Sequence, residues 1–214
     1  MRKLSLPLLI AVWAGAVGGG LWTMLDYELT PAAVDQAPES WPPATTLRLS
    51  SSHPTLVMFL HPHCPCSHAS VAELADLVSH SAPVDVNLVF LKPPGFADGW
   101  EKSDLWQAAA AIPRAMLSCD SKGLEAATFR ANTSGETLLY DRDGRLLFHG
   151  GFTAVRGHRG ENAGRFAVEQ MLAGLPAQEQ ETPVFGCCLH DRQCTLPSSP
   201  QQLDTRDPDD ATSH

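Results

Sequence analysis

Hydrophobic and polar positions divide this chain into four stretches. From Leu4 to Leu25 no residue is charged. At about 1.5 Å per helical residue, that run crosses a hydrocarbon core of roughly 30 Å. Residues 1–25 therefore predict one membrane-spanning helix. The run is too long for the apolar part of a cleaved signal peptide, and no small-x-small cleavage site follows it. From Asp26 to Ser52 the chain carries Pro31, Pro38, Pro42 and Pro43 without sustained periodicity, which predicts an extended tether over 26–52.

The pattern changes at 53. Thr55-Leu56-Val57-Met58-Phe59-Leu60 is long enough only for a buried strand, and Val71, Leu74, Ala75 and Val78 recur at helical spacing after it. Val84 to Leu91 predicts a second strand, and Ser103 with Asp104 opens a helix stopped by Pro113. Ala115-Met116-Leu117 predicts a third strand, 123–129 a short helix, and Thr137 to Tyr140 a fourth strand. Asp143-Gly144 turns the chain into Leu146-Leu147-Phe148, and a last helix follows Asn162, ending before Gly174. Strands alternating with helices, then a hairpin and a helix, give an α/β unit over 53–174 with a mixed sheet covered on both faces. Residues 175–196 form a cysteine-containing extension, and the Ser-, Pro-, Gln- and Asp-rich run 197–214 predicts a disordered tail.

Length and charge narrow the function. With 214 residues there is room for one ordinary domain plus additions at each end. A net charge of -9 without a clustered basic patch excludes a nucleic-acid partner. Arg2 and Lys3 keep the N-terminus cytoplasmic, which places the domain in the periplasm or at the cell exterior, on a single-pass anchor through residues 4–25 of the cytoplasmic membrane.

The chemistry concentrates in His61-Pro62-His63-Cys64-Pro65-Cys66-Ser67-His68, where a strand ends and a helix begins. Free backbone N–H groups and the helix dipole stabilise a thiolate there, so Cys64 is the candidate nucleophile. Pro65 suits the first helical position, Cys66 is close enough to resolve a mixed disulfide, and a protonated His63 favours the thiolate. A competing capping box, Ser70-Val71-Ala72-Glu73, would start the helix six residues later and leave both thiols on a loop.

The principal reading is a thiol-disulfide oxidoreductase that needs no cofactor and acts on a protein disulfide or dithiol client. The alternative is copper capture by Cys64 and Cys66 with His61, His63 or His68, because soft thiolates select Cu(I). A non-catalytic partner-binding module is a third. Cys187, Cys188 and Cys194 are candidate secondary thiols, for electron relay, a metal site or a disulfide that staples the tail, whereas Cys119 reads as a core or edge thiol. The Gly-rich run 150–162 fits neither phosphate-loop pattern.

The element order is that of a thioredoxin fold with the extra strand and helix of peroxiredoxin-like relatives. Phe59 to Ser67, Thr133 to Asp141, the Gly150 to His158 loop and Thr182 to Cys187 together resemble RedB-like, membrane-anchored thioredoxin-fold proteins of bacteria. The resemblance covers about residues 50 to 188. It implies a thiol-disulfide role outside the cytoplasm, with Cys64 and Cys66 at the active-site position. Two features depart from ordinary thioredoxins: the motif is Cys-Pro-Cys rather than Cys-x-x-Cys, and Ser134-Gly135 stands where a cis-proline is expected. In that fold the proline blocks metal binding beside the thiols, so its loss favours the metal alternative. By likeness to Sco-type copper chaperones, His149 or His158 would be the distal histidine.

Overall fold

The computed structural model describes residues 6–189. Arg2, Lys3, Cys194 and the tail 197–214 lie outside the described residues. The elements are α1 (Leu6–Leu29), β1 (Thr55–Leu60), α2 (Pro65–His80), β2 (Asp85–Lys92), α3 (Asp104–Ala110), β3 (Ala115–Ser121), α4 (Leu124–Phe129), β4 (Thr137–Tyr140), β5 (Leu146–Gly150) and α5 (Ala163–Leu172). The five strands form one sheet in the order β3-β2-β1-β4-β5. Strands β1, β2 and β3 run parallel, β4 pairs antiparallel with β1, and β5 antiparallel with β4.

Strand β1 is central and buried at all six positions. Its alternate residues feed two cores, because successive side chains of a strand point to opposite faces. Leu56, Met58 and Leu60 join Leu74, Leu77, Leu105, Phe152 and Val168 from the side of α2, α3 and α5. Val57 and Phe59 join Phe129 and Tyr140 on the side of α4. This is the predicted mixed sheet with helices on both faces, of thioredoxin type, following one N-terminal apolar helix.

Two elements run past the sequence pattern, and one competing signal in it is not used. Strand β3 runs on to Ser121 because it pairs with β2 through Lys92. Of its side chains only Asp120 is buried, and no apolar run marks the part beyond Leu117. Helix α2 starts at Pro65 with Cys64 as its N-cap, not at the Ser70–Glu73 capping box. Glu73 does not cap. It is buried and accepts from Gly160 N at 2.8 Å, with Arg165 at 3.0 Å from its other oxygen. Helix α1 continues past Leu25 to Leu29, and it is the one described helix long and apolar enough to cross a membrane.

Residues 26–52, read as a tether, dock along the domain. Trp41 stacks edge-on against Phe129 and Tyr140 at 5.3 and 5.2 Å, and Tyr140 Oη donates to Pro38 O at 3.0 Å. Thr46 N and Oγ1 both donate to the Glu125 carboxylate. Prolines in this segment remove backbone donors without preventing an extended strap from burying its aromatic ring.

Asp85 opens β2 beside His53 (3.3 Å) and Arg114 (3.4 Å). Burial pushes its carboxyl up, but hydrogen bonds from Ser50, His53 and Arg114 outweigh that and hold it below its ordinary value of 3.8. A folded value below the unfolded one means stability that is present above the unfolded pKa and is lost as pH falls through the folded one. Denaturant unfolding of the full chain in detergent should therefore show a steeper acid loss for wild type than for Asp85→Asn as pH falls below about 4. Parallel slopes would remove Asp85 from the acid response.

Candidate functional site

The turn between β1 and α2 buries its sulfurs and exposes its imidazoles. Cys64 is 2 % exposed and Cys66 is 6 % exposed, while His63 and His68 face solvent and His61 is half-buried. Cys64 N donates to His61 O at 3.2 Å and Ser67 N to Cys64 O at 3.0 Å, which closes the turn into the first helical bond. Cys64 has extended φ/ψ, and Pro occupies the first helical position, where a missing N–H costs nothing.

The residue bonded to Cys64 is not Cys66. Cys64 forms a disulfide with Cys187, across 123 positions and with Cα atoms 6.5 Å apart. Cys66 is a buried free thiol. The ligand atoms of Cys64, Cys66 and Cys187 all lie within 4.8 Å of one another. Burial pushes the Cys66 thiol up, and the Arg156 charge and the Gly157 N–H partly offset this. Cys188 is itself disulfide-bonded. Cys119 lies on β3, exposed and apart from this cluster, its thiol raised chiefly by burial.

The three local histidines stay out of the sulfur cluster because other groups engage their rings. His63 packs on Trp100 at 4.7 Å, and its Nε2 sits 3.2 Å from Trp100 O. His61 Nδ1 accepts from His63 N at 3.2 Å, and burial, then the neighbouring His63 charge, lowers its pKa. His68 Nε2 lies 3.8 Å from Asp104. Of the proposed distal histidines, His158 is exposed, and His149 is buried against Glu136 at 2.7 Å. Neither joins the thiols.

Ser134, at the position of the expected cis-proline, replaces it with a hydrogen-bond circuit. His61 N donates to Ser134 Oγ at 2.8 Å, Ser67 Oγ donates to His61 O at 3.0 Å, and the two hydroxyls meet at 2.6 Å. With the Ser67 proton committed to His61 O, Ser134 is the donor between the hydroxyls. No described peptide bond is cis.

The extension after α5 returns to this edge. Thr182 packs into a floor where a Cβ on Gly150 would meet Thr182 Oγ1 at 2.1 Å and one on Gly164 would meet Gly151 O at 2.0 Å. Gly150 and Gly164 thus let two backbones approach closely. Ser134 N then donates to Cys187 O at 2.8 Å and Leu189 N to Asn132 O at 2.8 Å, with an antiparallel bridge between Thr133 and Cys188. Beneath this pairing Glu136 accepts from Asn132 N at 2.9 Å and Thr133 N at 3.1 Å. Sequence reasoning did not identify Ser67, Glu136 or Arg156 as site residues. A lone carboxylate opening the apolar run 137–140 was the available signal for Glu136.

The chain matches no protein-family model and no curated protein. Among solved structures it is similar to a hypothetical protein of Sinorhizobium meliloti, at 21% identity and TM-score 0.52, covering 75% of this chain and 93% of that one. It is also similar to an uncharacterised conserved protein of Geobacillus kaustophilus, at 17% identity and TM-score 0.50, covering 80% and 95%. A secreted Mycobacterium tuberculosis disulfide oxidoreductase aligns at 16% identity and TM-score 0.41, over 59% and 84%. For the first two the likeness is one of fold alone.

Proposed function

We propose that this chain is a membrane-tethered thioredoxin-fold protein whose Cys64, Cys66 and Cys187, when reduced, capture a soft monovalent metal of the Cu(I) type. The clustering of the three sulfurs, all within 4.8 Å of one another, carries this reading. Sulfurs clustered this closely can converge on one ion with metal–sulfur bonds of about 2.3 Å, and thiolates without a hard oxygen ligand select Cu(I). Copper is here the cargo, and the Cys64–Cys187 disulfide is the oxidised form that cannot hold it. Two electrons and two protons delivered by an external dithiol open that disulfide, and capture releases the thiol protons. Ser134 in the proline position supports the same reading, because it leaves the space beside the thiols to a hydroxyl.

Helix α1 serves as the anchor, with the domain on the periplasmic or exterior side, and the RedB-like resemblance gives the affiliation. Reduced full-length protein in detergent should bind one Cu(I) per chain in anaerobic competition with a chromophoric chelator. Cys66→Ser should weaken that binding at least tenfold. Binding that survives both Cys64→Ser and Cys66→Ser would overturn the reading.

One observation favours a second reading, thiol-disulfide exchange: Cys64 already sits in a disulfide. In this reaction the Cys64 thiolate attacks a client disulfide and expels one client thiolate. Cys187 or Cys66 then attacks the mixed disulfide, releasing the second client thiol and leaving the protein oxidised. In the same series, absent Cu(I) binding together with a client adduct trapped at Cys64 in a chain carrying both Cys66→Ser and Cys187→Ser would establish exchange instead.

A further inference from the structure

The Gly-rich loop after β5 carries a long cation that connects two distant parts of the chain. Arg156 N donates to Glu28 O at 3.3 Å, its Nε to Tyr27 O at 2.9 Å, one terminal nitrogen to Thr30 O at 3.3 Å, and the other to Gly186 O. Its guanidinium carbon also lies 4.7 Å from the centroid of the Tyr27 ring. Tyr27 and Glu28 belong to the last turn of α1, whose final carbonyls have no partners inside the helix. That turn contains no basic residue of its own, so Arg156 supplies the cation that a helix C-terminus favours. Gly186 immediately precedes Cys187. A second strap runs beside the first, with Ala32 N donating to Val184 O at 2.8 Å.

We infer that Arg156 is a positioning residue that ties the C-terminal end of α1 to the Gly186 carbonyl and so holds Cys187 at the Cys64 and Cys66 sulfurs. This role rests on the three-thiol reading, since it concerns the geometry of the third sulfur. A planar guanidinium suits the task, because its donors leave in fixed, divergent directions and reach carbonyls on two segments at once. A lysine ammonium supplies the charge without that fork. The consequence is that the third thiol is referenced to the apolar helix as well as to the domain, so displacement of α1 loosens the sulfur cluster.

The test is hydrogen exchange on the reduced full-length chain in detergent, where no disulfide holds Cys187 in place. The Ser134 and Leu189 amides, which donate to Cys187 O and Asn132 O, should exchange about ten- to a hundredfold faster in both Arg156→Ala and Arg156→Lys, the cost of one charge-assisted hydrogen bond. Amides of Leu88, Val89 and Phe90 in β2 should keep wild-type protection. In a dithiothreitol buffer the equilibrium population of the Cys64–Cys187 disulfide should fall by a similar factor, as dithiothreitol gives up two electrons and closes to its cyclic disulfide. Wild-type protection of Ser134 in either variant overturns the inference; in Arg156→Lys it would show that charge alone suffices. If Arg156→Ala also loses β2 protection, Arg156→Lys decides. Neither readout involves copper, so a failure of metal binding in wild type refutes the metal reading while the exchange data still decide the role of Arg156.

Discussion

Replacing Glu136 with Ala should cost about 3–5 kcal/mol of folding stability, and the loss should spread to the thiol cluster. Glu136 is fully buried, and each of its oxygens is used. One oxygen accepts from Asn132 N and Thr133 N; the other lies 2.7 Å from His149 Nε2. Alanine leaves two backbone donors and an imidazole without partners in a site closed to water, and an uncompensated buried polar group costs far more than a hydrogen bond gains. The effect travels because both partners support the extension. Asn132 and Thr133 form the edge on which Cys188 and Leu189 pair. His149 is bracketed by it, donating from N to Gln180 O and accepting at O from Thr182 N. Glu136→Gln keeps an acceptor for the backbone donors and a neutral partner for the ring, and should cost less than half as much. Denaturant unfolding of both variants in detergent, followed by tryptophan fluorescence, measures this order. An alanine variant within about 1 kcal/mol of wild type would mean that the pair neither stabilises the domain nor orients the edge.

Glu136 also marks the limit of what the chain discloses in one dimension. Strand β1, the Cys64 turn and the start of α2 at Pro65 are legible because each is local: a six-residue apolar run, a helix-start proline and a helical face at i, i+3, i+4 and i+7. The covered sheet follows from the order of such segments. The partner of Cys64 is not local. Its separation of 123 residues leaves no periodic trace, and Cys66, two positions away, is the partner that spacing suggests. The capping box at Ser70–Glu73 misleads for a related reason. The pattern records a carboxylate three residues after a serine, but cannot record that a loop 87 residues later brings Gly160 N, and α5 brings Arg165, to that carboxylate. The histidines look like metal ligands because sequence shows their proximity to the thiols and not the direction of their rings, which Trp100 and Asp104 set. Ser134 lies between these cases. Its position where a proline was expected flagged a changed groove, while the circuit it makes with Ser67 and His61 needed three-dimensional contact.

Gly186→Ala should eliminate the Cys64–Cys187 linkage while leaving the sheet intact. A Cβ on Gly186 would stand 1.9 Å from Ser134 O and 3.0 Å from both Ser134 C and Thr133 Cγ2, against ordinary contact at 3.4–4 Å. The obstacle is backbone, held from below by Glu136 and from the side by His61 N through Ser134 Oγ, so it cannot yield as a flexible side chain would. The segment bearing Gly186 must therefore retreat, and a displacement of the order of 1.5 Å, from 1.9 Å to the 3.4 Å edge of normal contact, moves Cys187 with it. Its Cα already stands 6.5 Å from that of Cys64, close to the upper bound of about 6.8 Å for a disulfide. Retreat from Ser134 is also retreat from the Cys64 turn, which Ser134 holds. Differential alkylation and mass spectrometry of non-reduced protein should then find Cys64 free or joined to Cys66, with no Cys64–Cys187 peptide. Amide protection in β1 and β2 should match wild type, because the atoms a Cβ at Gly186 meets belong to Thr133 and Ser134, outside both strands. Reduced Gly186→Ala should in addition bind Cu(I) as weakly as Cys187→Ser if the third sulfur is a ligand. Retention of the wild-type disulfide would show that the extension can slide along Asn132–Ser134 without losing its grip on Cys64, and the close fit at Gly186 would then not be what places Cys187.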